Sequence, residues 1–386
     1  MSAGQDQVHE GVDVQVKAIK ILTTSPGDVS ELTRLMDQGI IVASEVICII
    51  GKTEGNGGRN DFTRELAMAA FEDLFSRRLG IDRQEVVERI IFSLSGGCEG
   101  VVSPHIVVFS IAGTPAAIPH SQKRLAIGIG FTREFSAGEI GRMPQIEETA
   151  RLIRKVVEAL RIEASADVKL IQMKGAIPKV SYEESEAARK SGKPLRCDMV
   201  YSRGASALAA AVALGEVELS ALDDDSICSD WDKYSSTASC SAKPGLKRSE
   251  IVVMANSPYW DGNLVIEGGV LKDMIDVNSV REVLSGLGIK VEAQATAEQT
   301  ERLVGIFAKS EADPRLTIRG RRHTMLTDDD ISDTRYSRCI LGAVIAGVTG
   351  DTAVYISTRS EHHGPLGGGT IAIIAKATAG DAYEAS

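Results

Sequence analysis

Three sets of lysine, arginine and serine residues recur in the same order along the chain, and together they could carry out acyl transfer. The sets are Lys52/Arg64/Ser95, Lys174/Arg203/Ser241 and Lys309/Arg338/Ser357. A lysine that has lost its proton can activate a serine hydroxyl as a nucleophile, and arginines bind carbonyl or anionic oxygens. One such pair is common, whereas three in one order indicate three copies of a unit that face a shared site.

The charges and glycines near these residues suit this chemistry. Burial at a strand end disfavours the charged ammonium, and converging arginines would lower the lysine pKa further. The segment Ser95-Gly96-Gly97 leaves main-chain N–H groups open to a substrate carbonyl oxygen, which is the geometry of an oxyanion hole. The predicted reaction class is therefore acyl transfer to water. A tight turn between two strands explains the same glycines equally well.

The residues around each set predict the elements that position it. Each lysine ends a short apolar run typical of a buried strand, and each arginine precedes small apolar residues typical of a closely packed helix. The first and third serines each end a second apolar run, Ser239-Cys240-Ser241 in the middle set is a poorer match, and another apolar strand follows each serine. The lysine runs span residues 46–52, 168–174 and 303–309. We therefore predict three similar repeat units, each built from strands and a closely packed helix, that face a shared site.

Two loops suggest where these units meet. Residues 112–120 and 256–263 interrupt the strand pattern with proline, glycine and asparagine, which favour turns. The predicted units are residues 1–115, 122–260 and 265–386.

A simpler interpretation of the repeated residues remains open. Lysines and arginines at the ends of strands and helices are often solvated charges, and Phe131-Thr132-Arg133 repeats the tripeptide Phe62-Thr63-Arg64 without a lysine strand before it. The tripeptide alone is therefore not diagnostic. A catalytically silent protein, with a threefold binding or scaffold role, is the alternative from another functional class.

The composition predicts a soluble globular protein and argues against several functions. Of the 386 residues, 43% are hydrophobic and 25% are charged, and a net charge of −10 without a Lys/Arg-rich block argues against nucleic-acid binding. No run approaches 18 apolar residues and the polar start lacks a signal peptide, so we expect no membrane partner and a cytoplasmic location. The six cysteines form no Cys-x-x-Cys, and the six histidines are dispersed except for His362-His363, so neither disulfides nor zinc are expected.

Five longer segments resemble the ring-opening amidohydrolases, the family of cyanuric acid hydrolase and barbiturase. The segments are residues 51–57, 60–64, 95–101, 201–208 and 319–326. This resemblance spans nearly the whole chain. It implies an α/β fold of three similar repeat units with pseudo-threefold symmetry around a central active site, usually assembled as a homotetramer. Such a protein would hydrolyse a cyclic amide without a catalytic cofactor.

The resemblance also implies a role for each repeated residue. Lys174 would be the general base and Ser241 the nucleophile, although the repeat pattern alone does not single out this middle pair. The remaining residues of the sets, with their neighbours, would bind the small-molecule substrate. These substrate-binding positions are Arg64, Ser95, Gly96, Arg203, Ser241, Ala242, Arg338, Ser357, Thr358, Lys52 and Lys309.

Within the family, the pattern favours cyanuric acid as the substrate. This ring presents three equivalent carbonyls and three N–H groups, which a threefold ring of donors can bind in the same way. Barbiturases resemble the chain but carry asparagine in place of Arg203. The expected product is carboxybiuret, which decarboxylates to biuret. Hydrolysis of barbiturate or of another cyclic amide is the alternative.

The chain departs from the family pattern at two positions near the serines. Ser357-Thr358-Arg359 stands where Ser-Gly-Gly is usual, and Lys243 stands where glycine is common. We expect Arg359 to clash with the pocket or to change its charge.

The resemblance implies one further site, a structural divalent cation that some members hold in the third unit. The matching positions are Glu311, Ser360, His363, Gly364, Pro365 and Gly368. A hard cation such as Mg²⁺ or Ca²⁺, bound by one carboxylate and several main-chain carbonyls, would suit this glycine-rich loop. A metal-free loop is the alternative.

Overall fold

Three four-stranded mixed sheets, flanked by helices, build the protein. The structure is a computed structural model that describes residues 13–58, 60–325 and 332–378. Leu326, the last residue of the segment 319–326, lies outside the described residues, as do residues 1–12 of the first predicted unit and residues 379–386 of the third. The strands are β1 (Gln15–Leu22), β2 (Val46–Thr53), β3 (Ile91–Gly96), β4 (His105–Ala112), β5 (Arg124–Phe131), β6 (Val168–Ile177), β7 (Ala238–Pro244), β8 (Glu250–Ser257), β9 (Leu264–Leu271), β10 (Leu303–Ser310), β11 (Thr317–Ile318), β12 (Arg321–Arg322), β13 (Val354–Thr358) and β14 (Gly369–Lys376).

Helices connect these strands. They are α1 (Ser30–Asp37), α2 (Thr63–Leu79), α3 (Arg83–Arg89), α4 (Met143–Ala159), α5 (Tyr182–Ser191), α6 (Met199–Leu214), α7 (Val277–Gly286), α8 (Ala297–Glu301) and α9 (Asp333–Thr349). The arginines of the three sets lie in the first two turns of α2, α6 and α9, as the sequence predicts. None of the helices in the described part of the chain is long and apolar enough to cross a membrane.

The three sheets share one strand order. Their orders are β1-β4-β2-β3, β5-β8-β6-β7 and β9-β14-β10-β13. In each sheet the last two strands in this order run parallel, and the other neighbours run antiparallel. The sequence predicts three strands of each sheet. The fourth strands, β1, β5 and β9, are a finding of the structure.

The parallel strand pairs place each lysine beside the serine of its own set. The register partners are Lys52 with Ser95, Lys174 with Ser241 and Lys309 with Ser357. Residues that are partners in neighbouring strands direct their side chains to the same face of a sheet. Each sheet therefore presents a lysine and a serine side by side at the end of its parallel pair.

Apolar residues from all three sheets meet in the largest hydrophobic core. Val107, Val252 and Ala372 of β4, β8 and β14 are fully buried members of this core. Burial of such branched side chains is the main favourable contribution to folding, at roughly 25 cal/mol per Å² of apolar surface. The sheets are therefore packed on one another, which fixes the positions of the lysine and serine ends.

Helix α6 packs more closely than a helix with large side chains could. Its residues from Ser202 to Val212 are all buried, and most of them are small. Ala205 and Leu208 pack against Ile146 of α4, and a Cβ atom at Gly204 would lie 2.7 Å from the Cys228 sulfur. The small residues after Arg203 therefore allow this helix to bring the arginine into the interior.

Candidate active site

Predicted site residues from all three sheets and their helices line one cavity of about 650 Å³. The residues that line it include the three arginines, the three serines and one lysine of the repeated sets. These are Arg64, Ser95, Gly96, Lys174, Arg203, Ser241, Ala242, Arg338, Ser357 and Thr358. Lys52 and Lys309 lie behind the cavity surface and donate to the hydroxyls of Ser95 and Ser357. All eleven predicted substrate-binding positions, with Lys174, therefore lie at or next to one cavity.

Each lysine also joins its own sheet to another sheet. Its ammonium donates to the main-chain oxygen of the residue just before the serine of that other sheet. The contacts are Lys52 Nζ to Ile356 O at 2.8 Å, Lys174 Nζ to Leu94 O at 2.7 Å and Lys309 Nζ to Cys240 O at 2.7 Å. The first sheet thus contacts the third, the second contacts the first, and the third contacts the second. These three buried contacts close a ring.

The three ammonium groups differ in how many acceptors they have. Lys52 Nζ also donates to Ser95 Oγ at 3.2 Å and to Gly96 O at 3.1 Å. Lys309 has the equivalent contacts with Ser357 Oγ at 3.3 Å and Thr358 O at 3.2 Å. An ammonium carries three donors, so both of these lysines have an acceptor for each donor.

Lys174 is the exception among the three lysines. Within the described residues its one hydrogen bond goes to Leu94 O, and the hydroxyl of its partner Ser241 donates to Met173 O at a long 3.5 Å. Two of its three donors therefore lack a protein acceptor. Hydrogen bonds to a charged group favour the charged form. Lys174 is thus the lysine whose ammonium is least stabilised by hydrogen bonds.

Burial and nearby positive charge lower the pKa of all three lysines. Burial is the first cause that lowers the pKa of each lysine to about 7, because removal from water disfavours the ammonium. The like charge of an arginine from another sheet's helix is the second cause. Arg338 acts in this way on Lys52, Arg64 on Lys174 and Arg203 on Lys309.

Two of the three arginines are held by buried or partly buried carboxylates. Arg203 donates to both oxygens of Glu361, at 2.8 and 2.7 Å. Arg338 donates in the same bidentate manner to Glu99. Bidentate pairs fix the plane of the guanidinium as well as its position. Arg64 has no equivalent pair among the described residues; it donates to Gly58 O at 3.0 Å.

Gly96 brings main chain close to the cavity because no side chain would fit there. A Cβ atom at this position would lie 1.6 Å from Asp61 Oδ2. The Asp61 carboxylate is fixed in turn by the N–H groups of Gly57 and Thr63, at 2.8 and 3.0 Å. Asp61 is thus a turn and cap residue before α2, and the glycine is required for close packing.

The chain matches a family of ring-opening proteins over nearly its whole length. Residues 17–376 match the family model described as amidohydrolase ring-opening protein. The chain belongs to this family. It is 45% identical over 370 residues to a cyanuric acid amidohydrolase from Enterobacter cloacae, and the match covers 94% of this chain and 100% of that protein.

Two solved structures of the family have the same fold. A cyanuric acid hydrolase superposes with a TM-score of 0.86 at 40% identity, and the enzyme from A. caulinodans superposes with 0.82 at 38%. Both matches cover 95% of this chain and 100% of the other chain. The family resemblance of the sequence and the predicted mixed α/β fold are therefore confirmed.

The departure from the family's Ser-Gly-Gly pattern is accommodated at the cavity edge. Arg359 has a positive φ of 66° and pairs with Asp333 at 2.8 Å, with its side chain 44% exposed. Thr358 Oγ1 accepts a hydrogen bond from Arg338 at 3.2 Å. Arg359 therefore lines the cavity with its charge compensated by Asp333, and no clash occurs. The other departure, Lys243, is exposed and helps to lower the pKa of Lys174.

The loop predicted to hold a cation in this family member packs on the second sheet. His363 Nε2 accepts from the Cys240 N–H at 2.8 Å, and its Nδ1 contacts Glu361 O at 2.7 Å. Both ring nitrogens are thus used by main-chain groups, so the His363 ring has no lone pair for a metal. No group of three or more His, Cys, Asp or Glu side chains in the described ranges could hold a metal ion.

Sequence reasoning missed the two carboxylates that hold the arginines. Glu99 and Glu361 each lie four residues after a serine of the repeated sets, Ser95 and Ser357. This common spacing was the available signal. Position 245, four residues after Ser241, is glycine, so the third copy of the pattern is absent.

Proposed function

We propose that the protein is a cyanuric acid hydrolase that opens the ring with a Lys174–Ser241 dyad. The observation that carries the proposal is the set of three register-matched lysine–serine pairs around a single cavity, in a chain 45% identical to a cyanuric acid amidohydrolase. Three sets of similar donors match a ring with three carbonyl groups. The arginines and serines would bind the ring oxygens.

Pseudo-threefold symmetry about the cavity is part of this proposal. Two features support it: the shared strand order of the three sheets, and the ring of lysine contacts from each sheet to the next. Repeat units with boundaries near 1–115, 122–260 and 265–386 would each supply one sheet. If the cavity has this symmetry, a threefold substrate would accept hydrogen bonds from equivalent donors on three sides.

The acceptor count supports the assignment of the dyad. A general base must lose its proton before it can activate the nucleophile. Lys52 and Lys309 have three acceptors each, which stabilise their ammonium forms, whereas Lys174 has one. Lys174 is therefore the lysine best suited to be neutral beside its serine, Ser241.

The proposed reaction proceeds through an acyl-enzyme. Lys174 Nζ takes the hydroxyl proton as Ser241 Oγ bonds to a ring carbonyl carbon, and Lys174 then gives that proton to the ring nitrogen as the C–N bond breaks. Main-chain N–H groups beside Ser241 and Ala242 are suited to stabilise the oxyanion. Water, activated by the same lysine, adds to the acyl carbon and releases Ser241. The product, carboxybiuret, loses CO₂ to give biuret.

No cofactor takes part in these steps, but a structural Mg²⁺ or Ca²⁺ remains part of the proposal. The Glu311 carboxylate is buried, and its pKa is raised to about 7. Burial is the main cause, and the negative charge of the nearby Glu361 is the second. Ser360 Oγ is buried without a hydrogen-bond partner in the described residues. These two side chains, with carbonyls at Gly364, Pro365 and Gly368, fit a hard cation, whereas the His363 ring does not. Metal analysis of the purified protein, with melting curves in EDTA, tests this site.

A homotetramer in the cytoplasm completes the proposal, as the family resemblance implies. Exposed apolar side chains such as Phe62, Ile118 and Tyr182 are 73, 78 and 77% exposed in the single chain, which leaves apolar surface for subunit contacts. Light scattering of the purified protein measures the assembly.

A substrate assay tests the function. The purified protein is incubated with cyanuric acid and separately with barbituric acid, and the ultraviolet absorbance of each ring is followed, with Ser241→Ala as the control. Turnover of cyanuric acid supports the proposal. Turnover of barbituric acid alone assigns the alternative substrate, and turnover of neither compound would favour the threefold binding or scaffold protein.

A further inference from the structure

The carboxylates that hold the arginines form an incomplete set. Glu99 follows the first sheet's serine by four residues and holds Arg338 of α9. Glu361 follows the third sheet's serine by the same distance and holds Arg203 of α6. In both cases the chain leaves the sheet within about one residue of the serine, so that the glutamate reaches an arginine of a neighbouring sheet.

The second sheet cannot supply the third carboxylate. Strand β7 continues past Ser241 to Pro244, paired with β6 as far as Ile177, and the position four residues after the serine is the exposed Gly245. Arg64, the arginine of α2, therefore has no glutamate pair of this kind in the part of the chain that the structure describes.

The surroundings of Arg64 show the consequence. Its closest carboxylate, Asp61, lies 3.9 Å from Nε, and that carboxylate is already engaged by the N–H groups of Gly57 and Thr63. Arg64 Nε is buried and has no hydrogen-bond partner in the described residues. The charge of Arg64 is thus less compensated than the charges of the other two arginines.

Each arginine acts on one lysine, and Arg64 acts on the proposed base. Arg338 and Arg203, which lower the pKa of Lys52 and Lys309, are paired with Glu99 and Glu361, and each glutamate partly offsets the effect of its arginine on the lysine. The charged groups that act on Lys174 are Arg64, Lys243 and Lys309, which disfavour its ammonium, and Glu250, its register neighbour on β8, which favours it.

We propose that the missing third glutamate makes the three lysine–serine pairs chemically different: the less compensated charge of Arg64 favours the neutral form of Lys174, while Glu99 and Glu361 position Arg338 and Arg203 for binding. Arg64 is thus a positioning residue for the base in addition to any contact with substrate. The kinetic part of this inference rests on the proposed function. Its structural part does not.

The first experiment titrates Lys174 without any substrate. Protein labelled with ¹³C at lysine Cε is followed by NMR as a function of pH, and the Lys174 signal is assigned by its loss in Lys174→Arg. In Arg64→Gln the titration midpoint of Lys174 should rise by about 1 pH unit, and in Arg64→Lys, which keeps the charge, it should stay near the parent value. Arg338→Gln, the matched change at a compensated arginine, should leave it unchanged. No shift in Arg64→Gln, or an equal shift in Arg338→Gln, would overturn the inference.

The second experiment measures the same effect in turnover. The acid limb of kcat/KM should move to higher pH in Arg64→Gln, whereas Glu99→Gln and Glu361→Gln should raise KM several-fold and leave that limb in place. An unchanged KM in both glutamate variants would overturn their positioning role. Absence of turnover in the parent protein would contradict the proposed function, and the NMR titration would still decide the inference.

Discussion

Lys174 and Ser241 are register partners on β6 and β7, but Lys174 donates at 2.7 Å to the main-chain oxygen of Leu94 in another sheet. The Ser241 hydroxyl makes a long contact of 3.5 Å with Met173 O. Once Lys174 loses its proton, its lone pair can accept from the neighbouring hydroxyl, while a remaining N–H can still donate to Leu94. The cross-sheet contact therefore places the amine and leaves it free to react.

The first prediction concerns the assignment of the dyad. Ser241→Ala and Lys174→Ala should each lower kcat by at least about 10³-fold, because removal of either member of a nucleophile–base pair removes covalent catalysis. Ser95→Ala and Ser357→Ala, the matched changes in the other two sheets, should mainly raise KM. Steady-state kinetics with cyanuric acid measure both effects. An inactive Ser95→Ala beside an active Ser241→Ala would contradict the assignment.

The second prediction concerns the pH dependence of activity. The pKa of Lys174 is lowered to about 7, and the base must be neutral, so kcat/KM should be low below pH 7 and rise as the pH increases through this value. Lys52 has a similar pKa but a full set of acceptors. Lys52→Met should therefore lower activity without moving the acid limb. A flat profile between pH 6 and 8 would argue against a lysine base.

The third prediction concerns Gly96. In Gly96→Ala the new methyl group would overlap Asp61, so Asp61 and the start of α2 must move. We expect a loss of about 1–3 kcal/mol in the free energy of unfolding, together with weaker substrate binding through Arg64. Gly347→Ala on α9 is the control, since nothing lies within 4 Å of its added methyl and alanine favours helix by about 1 kcal/mol. Urea denaturation of both variants measures the difference, and equal stability would refute the overlap.

The fourth prediction concerns acid stability and His363. Burial lowers the pKa of His363 well below its usual value, so below pH 6.5 the unfolded chain binds a proton that the folded protein does not. The stabilisation is therefore fully present above pH 6.5 and is lost as the pH falls. Between pH 6.5 and 5 the parent should lose up to about 1.4 kcal/mol per pH unit more than His363→Gln does. Denaturation curves at several pH values measure the two slopes, and equal slopes would show that His363 titrates normally.

The fifth prediction concerns Arg359 at the cavity edge. Its charge is compensated by Asp333 and its side chain is 44% exposed. Exposed ion pairs contribute about 0–1 kcal/mol, so Arg359→Met should change KM by less than about 5-fold and leave kcat unchanged. Arg338→Met, at a buried position beside the same strand end, is the contrasting variant and should bind substrate far more weakly. A large loss of kcat in Arg359→Met would place this side chain in the reaction.

Much of the site could be predicted because its chemistry is repeated along the sequence. The three lysine–arginine–serine sets, the strands that end at Lys52, Lys174 and Lys309, and the small-residue helices are local patterns, and hydrophobic periodicity reveals them directly. The five segments that resemble the family then implied a role for each of these residues. The strands β1, β5 and β9 were not predicted, since their short apolar runs carry none of the repeated residues.

The amino-acid sequence alone is enough to identify the residue types, their order and the family of the chain. Which of these residues meet depends on the folded chain. Folding sets the register of Lys174 with Ser241, the contact of Lys174 with Leu94, and the pairs of Glu99 and Glu361 with arginines of other sheets. Strand pairing and packing join residues that are far apart in the chain, so local periodicity does not encode them. The difference between the three lysines depends on those contacts, and for that reason only the folded chain reveals it.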